Sequence, residues 1–205
     1  MSHTPTIFVV DDDHDARESV LALARSKGVP AKGFASAEEF LAAYKGDERG
    51  CLVVDVRMTG ISGLELQERL NQLGAKLPVV IITGFAEVPT AVKAMRAGAL
   101  TFLEKPCPEH ELWANVAEAL DVDRNQEQKR MAVKEAQERL ATLSPDEVEV
   151  LKRLLEGMPN KRIASELDIG LRTVELRRAT ILKKMQSESL AHLVRAAITA
   201  GFLDG

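Results

Sequence analysis

Carboxylates, a hydroxyl and an ammonium stand where short apolar runs end in this 205-residue chain. Asp11, Asp12 and Asp13 follow Ile7–Val10, Asp55 closes Cys51–Asp55, Thr83 closes Val79–Thr83, and Lys105-Pro106 follows Thr101–Glu104. Three carboxylates brought together without a counterion repel one another, a cost expressed as raised pKa values. Two remedies are visible: a bound Mg²⁺, which prefers oxygen ligands, and the ammonium of Lys105. A carboxylate, a hard cation, a hydroxyl and an ammonium together form a phosphoryl-transfer site. The carboxylate attacks phosphorus, the metal neutralises charge, and the Thr and Lys hold the phosphoryl oxygens. Singly, each residue has a plainer reading: Asp13 as a helix cap, Thr83 as a turn residue, Lys105 as a solvated loop lysine. Their joint placement is what argues for chemistry.

That placement needs a scaffold. The runs Ile7–Val10, Ala31–Phe34, Cys51–Asp55, Val79–Thr83 and Thr101–Glu104 are rich in Val, Ile and Phe, and unbroken stretches such as Leu52-Val-Val suit strands of a parallel sheet buried on both faces. Between them lie segments with helical spacing: Ala16–Lys27, one opening at Ser36, Leu64–Leu73 and Val88–Ala97. Gly28, Gly74 and Gly98 follow the first, third and fourth as C-terminal caps. Five βα units in about 120 residues predict a doubly wound, five-stranded parallel α/β domain, whose ligands bind at the carboxyl ends of the strands.

From Glu109 to about Leu140 there is neither Pro nor Gly, so the fifth helix is expected to continue into a charged helical linker, kinked or frayed over Asp121–Lys129. Beyond Ser144 no strand pattern appears. Ser144-Pro145-Asp146-Glu147 opens a helix that runs to Gly157. Asn160–Leu167, a turn at Asp168-Ile169-Gly170 and a longer helix from about Arg172 to Met185 follow, and Ser189–Ala200 is the last. The tight middle turn fits a helix-turn-helix. The expected organisation is a domain over 1–122, a linker over 123–140 and an all-α domain over 141–205.

Charge divides the same way. Residues 1–123 hold 12 Lys+Arg against 19 Asp+Glu, whereas residues 124–205 hold 15 against 12, with seven cations and three acids in 160–184. Different partners for the two parts follow. Val174, Ile181 and Leu182 have the spacing of a buried face, with Ile163, Ala164 and Leu167 before the turn. Arg172, Arg177, Arg178, Lys183 and Lys184, with Lys161, are left for phosphates, as a recognition helix requires. No apolar run approaches the ~18–20 residues needed to cross a bilayer, no signal peptide is read at the N-terminus, and two cysteines make neither a disulfide framework nor a zinc site. No membrane partner and a cytoplasmic location are the expectations.

Val9-Val-Asp-Asp-Asp, Leu52-Val-Val-Asp-Val-Arg-Met, Val80-Ile-Ile-Thr-Gly and Phe102-Leu-Glu-Lys-Pro resemble the flavodoxin-like receiver domain of two-component response regulators, over residues 5 to about 122. The stretch from Gly84 to Ala99 is similar to the FixJ branch. The resemblance implies that Asp55 accepts a phosphoryl group from a sensor histidine kinase. It further implies that Asp12 binds Mg²⁺ (or Mn²⁺) directly and Asp11 through water, with Asp55 and the Arg57 carbonyl completing the set. Thr83 and Lys105 would contact the phosphoryl group, and Phe102 would be an aromatic switch, its plainer reading being a core aromatic. Two departures stand out. Thr59 occupies the position after Met58 where the family often has Pro, a change expected to loosen the adjoining loop. Arg57 and Phe85 offer no carboxylate or amide to orient a hydrolytic water, so a long-lived aspartyl phosphate is expected.

Leu143-Ser-Pro-Asp-Glu, Asn160-Lys-Arg-Ile-Ala-Ser-Glu-Leu and Arg172-Thr-Val-Glu resemble the LuxR-type (NarL/FixJ) DNA-binding domain over about residues 140–203. By that likeness Glu175, Leu176 and Ala179 face the major groove, while Lys161, Thr173 and Arg177 hold the backbone; Asp168 caps the turn. The function implied is a phosphorylation-controlled transcriptional regulator: a phosphoacceptor rather than an enzyme, homodimeric on phosphorylation, bound to promoter DNA, with RNA polymerase as a further partner. Two other classes compete, a Mg²⁺-dependent phosphohydrolase with Asp55 as nucleophile and an interaction module whose helices never touch DNA. Turnover of phosphate esters and a salt-dependent shift of DNA fragments discriminate among them.

Overall fold

The computed structural model describes residues 4–84 and 86–202. Contacts divide the chain into two units on either side of the Gln126–Glu127 bond, within the stretch expected to be a linker.

The first unit alternates strands and helices: β1 (Thr6–Val10), α1 (His14–Ser26), β2 (Ala31–Phe34), α2 (Ala37–Ala43), β3 (Gly50–Asp55), α3 (Gly63–Gln72), β4 (Val79–Thr83), α4 (Val88–Arg96) and β5 (Thr101–Glu104). The strands pair in parallel in the order β2-β1-β3-β4-β5, which reverses direction at β1. Because side chains alternate along a strand, each strand feeds two cores. Phe8 and Val10 of β1, with Leu52, Val54, Ile81, Phe40 and Leu66, fill one face of the sheet. Ile7 and Val9, with Val53, Val80, Val20, Leu112 and Val116, fill the other. Val10, Leu52, Val54 and Val80 are completely buried, and each such side chain contributes about 1.5–3 kcal/mol of transfer free energy.

Helix ends follow the local chemistry read from the sequence. The Asp13 carboxylate caps α1 by accepting the amides of Asp15 (2.9 Å) and Ala16 (3.2 Å), so β1 must stop before it. Ser36 and Ser62 cap α2 and α3 in the same way. Gly28, Gly74 and Gly98 take the left-handed conformation just past their helices.

Helix α5 (Glu109–Leu140) is helical at every residue, including Asp121–Lys129, so the fraying expected there is not found. One anchor in this stretch is Asp123. It is almost fully buried and accepts three guanidinium bonds from Arg49, at 2.9, 3.2 and 2.8 Å, which tie the helix to the chain just before β3. Pairs such as Arg124–Asp121 and Arg139–Glu135 line the exposed faces.

The second unit contains α6 (Pro145–Leu155), α7 (Asn160–Glu166), α8 (Leu171–Lys184) and α9 (Leu190–Thr199). Ser144 and Glu147 form a reciprocal capping box at the start of α6. Val150, Leu151, Ile163, Val174, Ile181 and Leu193 are completely buried and make one core. Asp168, in the turn between α7 and α8, has a φ of 51°, a left-handed conformation that Asp tolerates better than most residues. No helix among the described residues is long and apolar enough to cross a membrane.

Candidate functional site

The switch in strand order opens a crevice at the carboxyl ends of β1 and β3, and the anticipated side chains gather there. Asp11, immediately after β1, and Asp55, the last residue of β3, are 3 % and 6 % exposed. The Lys105 ammonium, reaching over from the segment after β5, lies 2.6 Å from Asp11 Oδ2 and 3.0 Å from Asp55 Oδ1. Lys105 is positioned by its own amide, which donates to the Thr83 carbonyl at 2.8 Å. Thr83 is fully buried at the end of β4. Phe102 is partly exposed and rests against the core on the Phe8–Val10 face, aligned with Ile81 of β4.

Burial pushes the Asp55 carboxyl above its ordinary value, while Lys105 and the Arg57 amide, which donates to Asp55 Oδ2 at 2.6 Å, work against that rise. Burial also acts to lower the Lys105 pKa, but its bonds to Asp11 and Asp55 outweigh that effect and hold it above the usual lysine value. The cluster is thus two acids sharing one cation. Glycine at position 63 permits the arrangement: a Cβ there would lie 2.1 Å from the Asp55 carbonyl oxygen, so only Gly lets α3 start against the end of β3.

Asp12 is exposed and bonds to the loop after β3. Its Oδ2 accepts the Thr59 amide at 2.9 Å and the Thr59 hydroxyl at 3.1 Å. The expectation that Thr59 loosens its loop is therefore corrected: unlike Pro, Thr has an N–H and a hydroxyl, and both tie the loop down. The oxygen donors of Asp11, Asp12 and Asp55 suit a hard divalent cation. Among the described residues, however, no three acid, His or Cys side chains are already grouped to hold one. Asp11 and Asp55 converge on Lys105, and Asp12 is not grouped with them.

Several participants were not anticipated. The Arg17 guanidinium donates to the Asp11 carbonyl, and Glu38 accepts the Ile61 amide at 3.0 Å, steadying the loop after Thr59. Arg57 is exposed, and its guanidinium stands 3.7 Å from Glu87, which brings a carboxylate near the site that was not counted. No local pattern announces the Glu38 and Glu87 contacts, because their partners are distant in sequence. Phe85 lies outside the described residues.

In the second unit, Arg172, Glu175, Leu176 and Ala179 form an exposed row along α8 at spacings of three and four residues, beside exposed Thr173. Leu176 is 68 % exposed, an unusual setting for leucine on a packed helix. Lys161 and Lys183 are exposed as well. Arg177 is ion-paired with Asp146, and Arg178 donates to Asn160 Oδ1 at 3.3 Å, so phosphates would compete for both. Lys184, anticipated as a phosphate contact, is instead committed to Glu147 Oε2 (2.7 Å) and the Thr142 carbonyl (3.0 Å), where it ties α8 to the start of α6. It falls at the end of α8, where the face turned toward α6 is no longer free.

Comparison with known proteins gives two family matches: the response regulator receiver domain over residues 7–117, and the bacterial regulatory proteins of the luxR family over residues 141–197. The transcriptional regulatory protein FixJ of Azorhizobium caulinodans is 44 % identical over 201 residues, covering 98 % of this chain and 95 % of that one. Nodulation protein W of Bradyrhizobium diazoefficiens is 40 % identical, covering 95 % and 86 %. Among solved structures, the response regulator StyR matches with a TM-score of 0.86 at 38 % identity, over 96 % of this chain and 99 % of that one. Full-length FixJ from B. japonicum matches with a TM-score of 0.60 at 40 % identity, over 98 % and 99 %.

Proposed function

The chain belongs to the NarL/FixJ family of response regulators, and from that premise we propose that Asp55 is the phosphoacceptor through which a sensor histidine kinase controls DNA binding by the second unit. Response regulators of this kind are phosphorylated on aspartate and regulate transcription by binding DNA, acting as phosphoacceptors rather than as enzymes with a turned-over substrate. A cognate histidine kinase and DNA are accordingly its partners, and receiver domains generally require a divalent metal.

The observation that carries the assignment is the Lys105 ammonium, 2.6 Å from Asp11 and 3.0 Å from Asp55, which joins three strand ends into one charged site. Transfer requires an ionised Asp55; burial works against that form, and Lys105 and the Arg57 amide favour it. A carboxylate oxygen of Asp55 attacks the phosphorus of a phosphohistidine, the P–N bond breaks, and its electron pair returns to the imidazole. Lys105 then follows the charge from the carboxylate to a phosphoryl oxygen, and the Thr83 hydroxyl donates to another. A divalent ion, Mg²⁺ or Mn²⁺, held by Asp11, Asp12, Asp55 and the Arg57 carbonyl, would supply charge neutralisation on the transferring group.

Movement of Thr83 and Phe102 would shift a pre-existing equilibrium of the α4–β5 surface. Val88, Val92 and Met95 on α4 are 76 %, 44 % and 48 % exposed, an apolar stripe suited to pairing with a second copy. Dimers would present two α8 helices to paired half-sites, with Glu175, Leu176 and Ala179 toward the bases and Lys161, Arg172, Thr173, Arg177, Arg178 and Lys183 toward the backbone. RNA polymerase and a cytoplasmic location complete the reading. Gel filtration and DNA selection with and without acetyl phosphate, beside Asp55→Ala, test it. The native chain should dimerise and bind only with the donor, and the variant should do neither. Dimerisation of Asp55→Ala by acetyl phosphate would refute the assignment, and a phosphoprotein half-life of seconds would refute the long-lived phosphate.

A further inference from the structure

In the acidic cluster each carboxylate is held by a donor of the protein itself. Lys105 bridges Asp11 and Asp55, the Asp13 amide donates to Asp11 Oδ1 at 3.0 Å, and the Arg57 amide donates to Asp55 Oδ2. Asp12 too is held by the loop after β3, through both the amide and the hydroxyl of Thr59 on a single oxygen, Oδ2. Two donors saturate the lone pairs of that oxygen. Asp11 and Asp55 face a common cation, whereas Asp12 does not join them, and no three such groups among the described residues stand ready for an ion.

We propose that Thr59 is a latch on the metal site, a positioning residue that holds Asp12 away from Asp11 and Asp55 and so sets the divalent-ion concentration at which the three carboxylates come together. The inference rests on the reading of Asp12 as a metal ligand. For its Oδ2 to reach an ion shared with Asp11 and Asp55, Asp12 must give up the Thr59 bonds, so those bonds oppose ion binding through that oxygen. Proline, frequent at this position among response regulators, has neither an N–H nor a hydroxyl and could not form the latch. The Thr at position 59 would thus make this receiver respond only at higher Mg²⁺ than a Pro-bearing one.

The test titrates MgCl₂ alone into the ¹⁵N-labelled full-length chain and follows the amide resonances of Asp12, Asp13 and Gly60. Thr59→Val removes the hydroxyl with little change of shape, Thr59→Pro removes both donors, and Thr59→Ser retains both. With net hydrogen bonds of ordinary strength at an exposed site, affinity for Mg²⁺ should rise about threefold in Thr59→Val and about tenfold in Thr59→Pro, and stay native-like in Thr59→Ser. In the native chain the Thr59 amide resonance should move with Mg²⁺ as its bond breaks. Weaker binding in Thr59→Val and Thr59→Pro would overturn the proposal, because Thr59 would then be orienting Asp12 toward the ion; unchanged binding would overturn it as a bystander. Asp12→Ala separates the two readings: if it binds Mg²⁺ as well as the native chain, the metal role of Asp12 fails and the latch with it.

Discussion

Replacing Lys105 with Met keeps an unbranched side chain of similar length and removes the ammonium shared by Asp11 and Asp55. The two carboxylate oxygens are 2.6 and 3.0 Å from the same nitrogen, so they can be no more than about 5.6 Å apart. Two unit charges at that separation repel by about 3 kcal/mol at an effective dielectric constant of ~20. Both acids are nearly buried, at 3 % and 6 % exposure, so water screens little of this. Lys105→Met should therefore lower the unfolding free energy of the receiver by about 3 kcal/mol at neutral pH.

Urea unfolding read through Trp113 measures that loss cleanly. Trp113 is the only tryptophan of the chain and packs, partly buried, against the receiver core from α5, so its fluorescence reports on that core. Acid should shrink the difference, because a protonated Asp55 no longer repels Asp11. On the alkaline side the Lys105 pKa is held above 10.5, so its charge is kept up to that value and its contribution is lost as pH rises through the higher folded one. The double variant Asp55→Asn/Lys105→Met should regain most of the stability, and so should added Mg²⁺ in Lys105→Met. A loss below about 1 kcal/mol, or no recovery with Asp55→Asn, would refute the reasoning, since the cluster would then not be held by its shared cation.

Three further outcomes are expected. Gly63→Ala should displace the end of β3, where a Cβ would press on the Asp55 carbonyl; a cost of roughly 2–3 kcal/mol by Trp113 unfolding and slower labelling by acetyl phosphate check it. Glu147→Gln should lose the charge-assisted bond to Lys184, about 1 kcal/mol in thermal unfolding of the second unit followed by circular dichroism. The Lys184 bond, followed by the Ser144 amide, holds Glu147 below 4.5, so that contribution is present above pH 4.5 and lost as pH falls through the lower folded value, where variant and native should converge. Arg172→Ala should reduce the salt dependence of DNA binding by about one counterion without altering the selected sequence, whereas Leu176→Ala should alter the sequence.

What could be read from the sequence was whatever depends on local order along the chain. The strands were legible because β-branched runs buried on both faces leave no polar alternation, and helix ends because Asp13, Ser36 and the C-terminal glycines act on their immediate neighbours. Asp11, Asp55, Thr83 and Lys105 could be picked out because each sits at the end of a recognisable strand. What stayed hidden was set by contacts between distant segments. Arg49 reaches Asp123 in the polar middle of α5 from 74 residues away, a contact that no composition signal reveals. Thr59 looked like a weakened loop because the absence of Pro is visible in the sequence while the 47-residue reach to Asp12 is not. Lys184 looked like its basic neighbours until α6 was placed beside it.

The central claim is that the carboxylate held by Lys105 is the one that becomes phosphorylated. Intact-mass spectrometry of the full chain after acetyl phosphate and Mg²⁺, with the acyl phosphate trapped by borohydride and located by fragmentation, measures it directly. The account predicts a single phosphoryl group on the native chain, located at Asp55, and none on Asp55→Asn treated identically. A group of the same stoichiometry on Asp55→Asn, or trapping at Asp11 or Asp12 in the native chain, would contradict it.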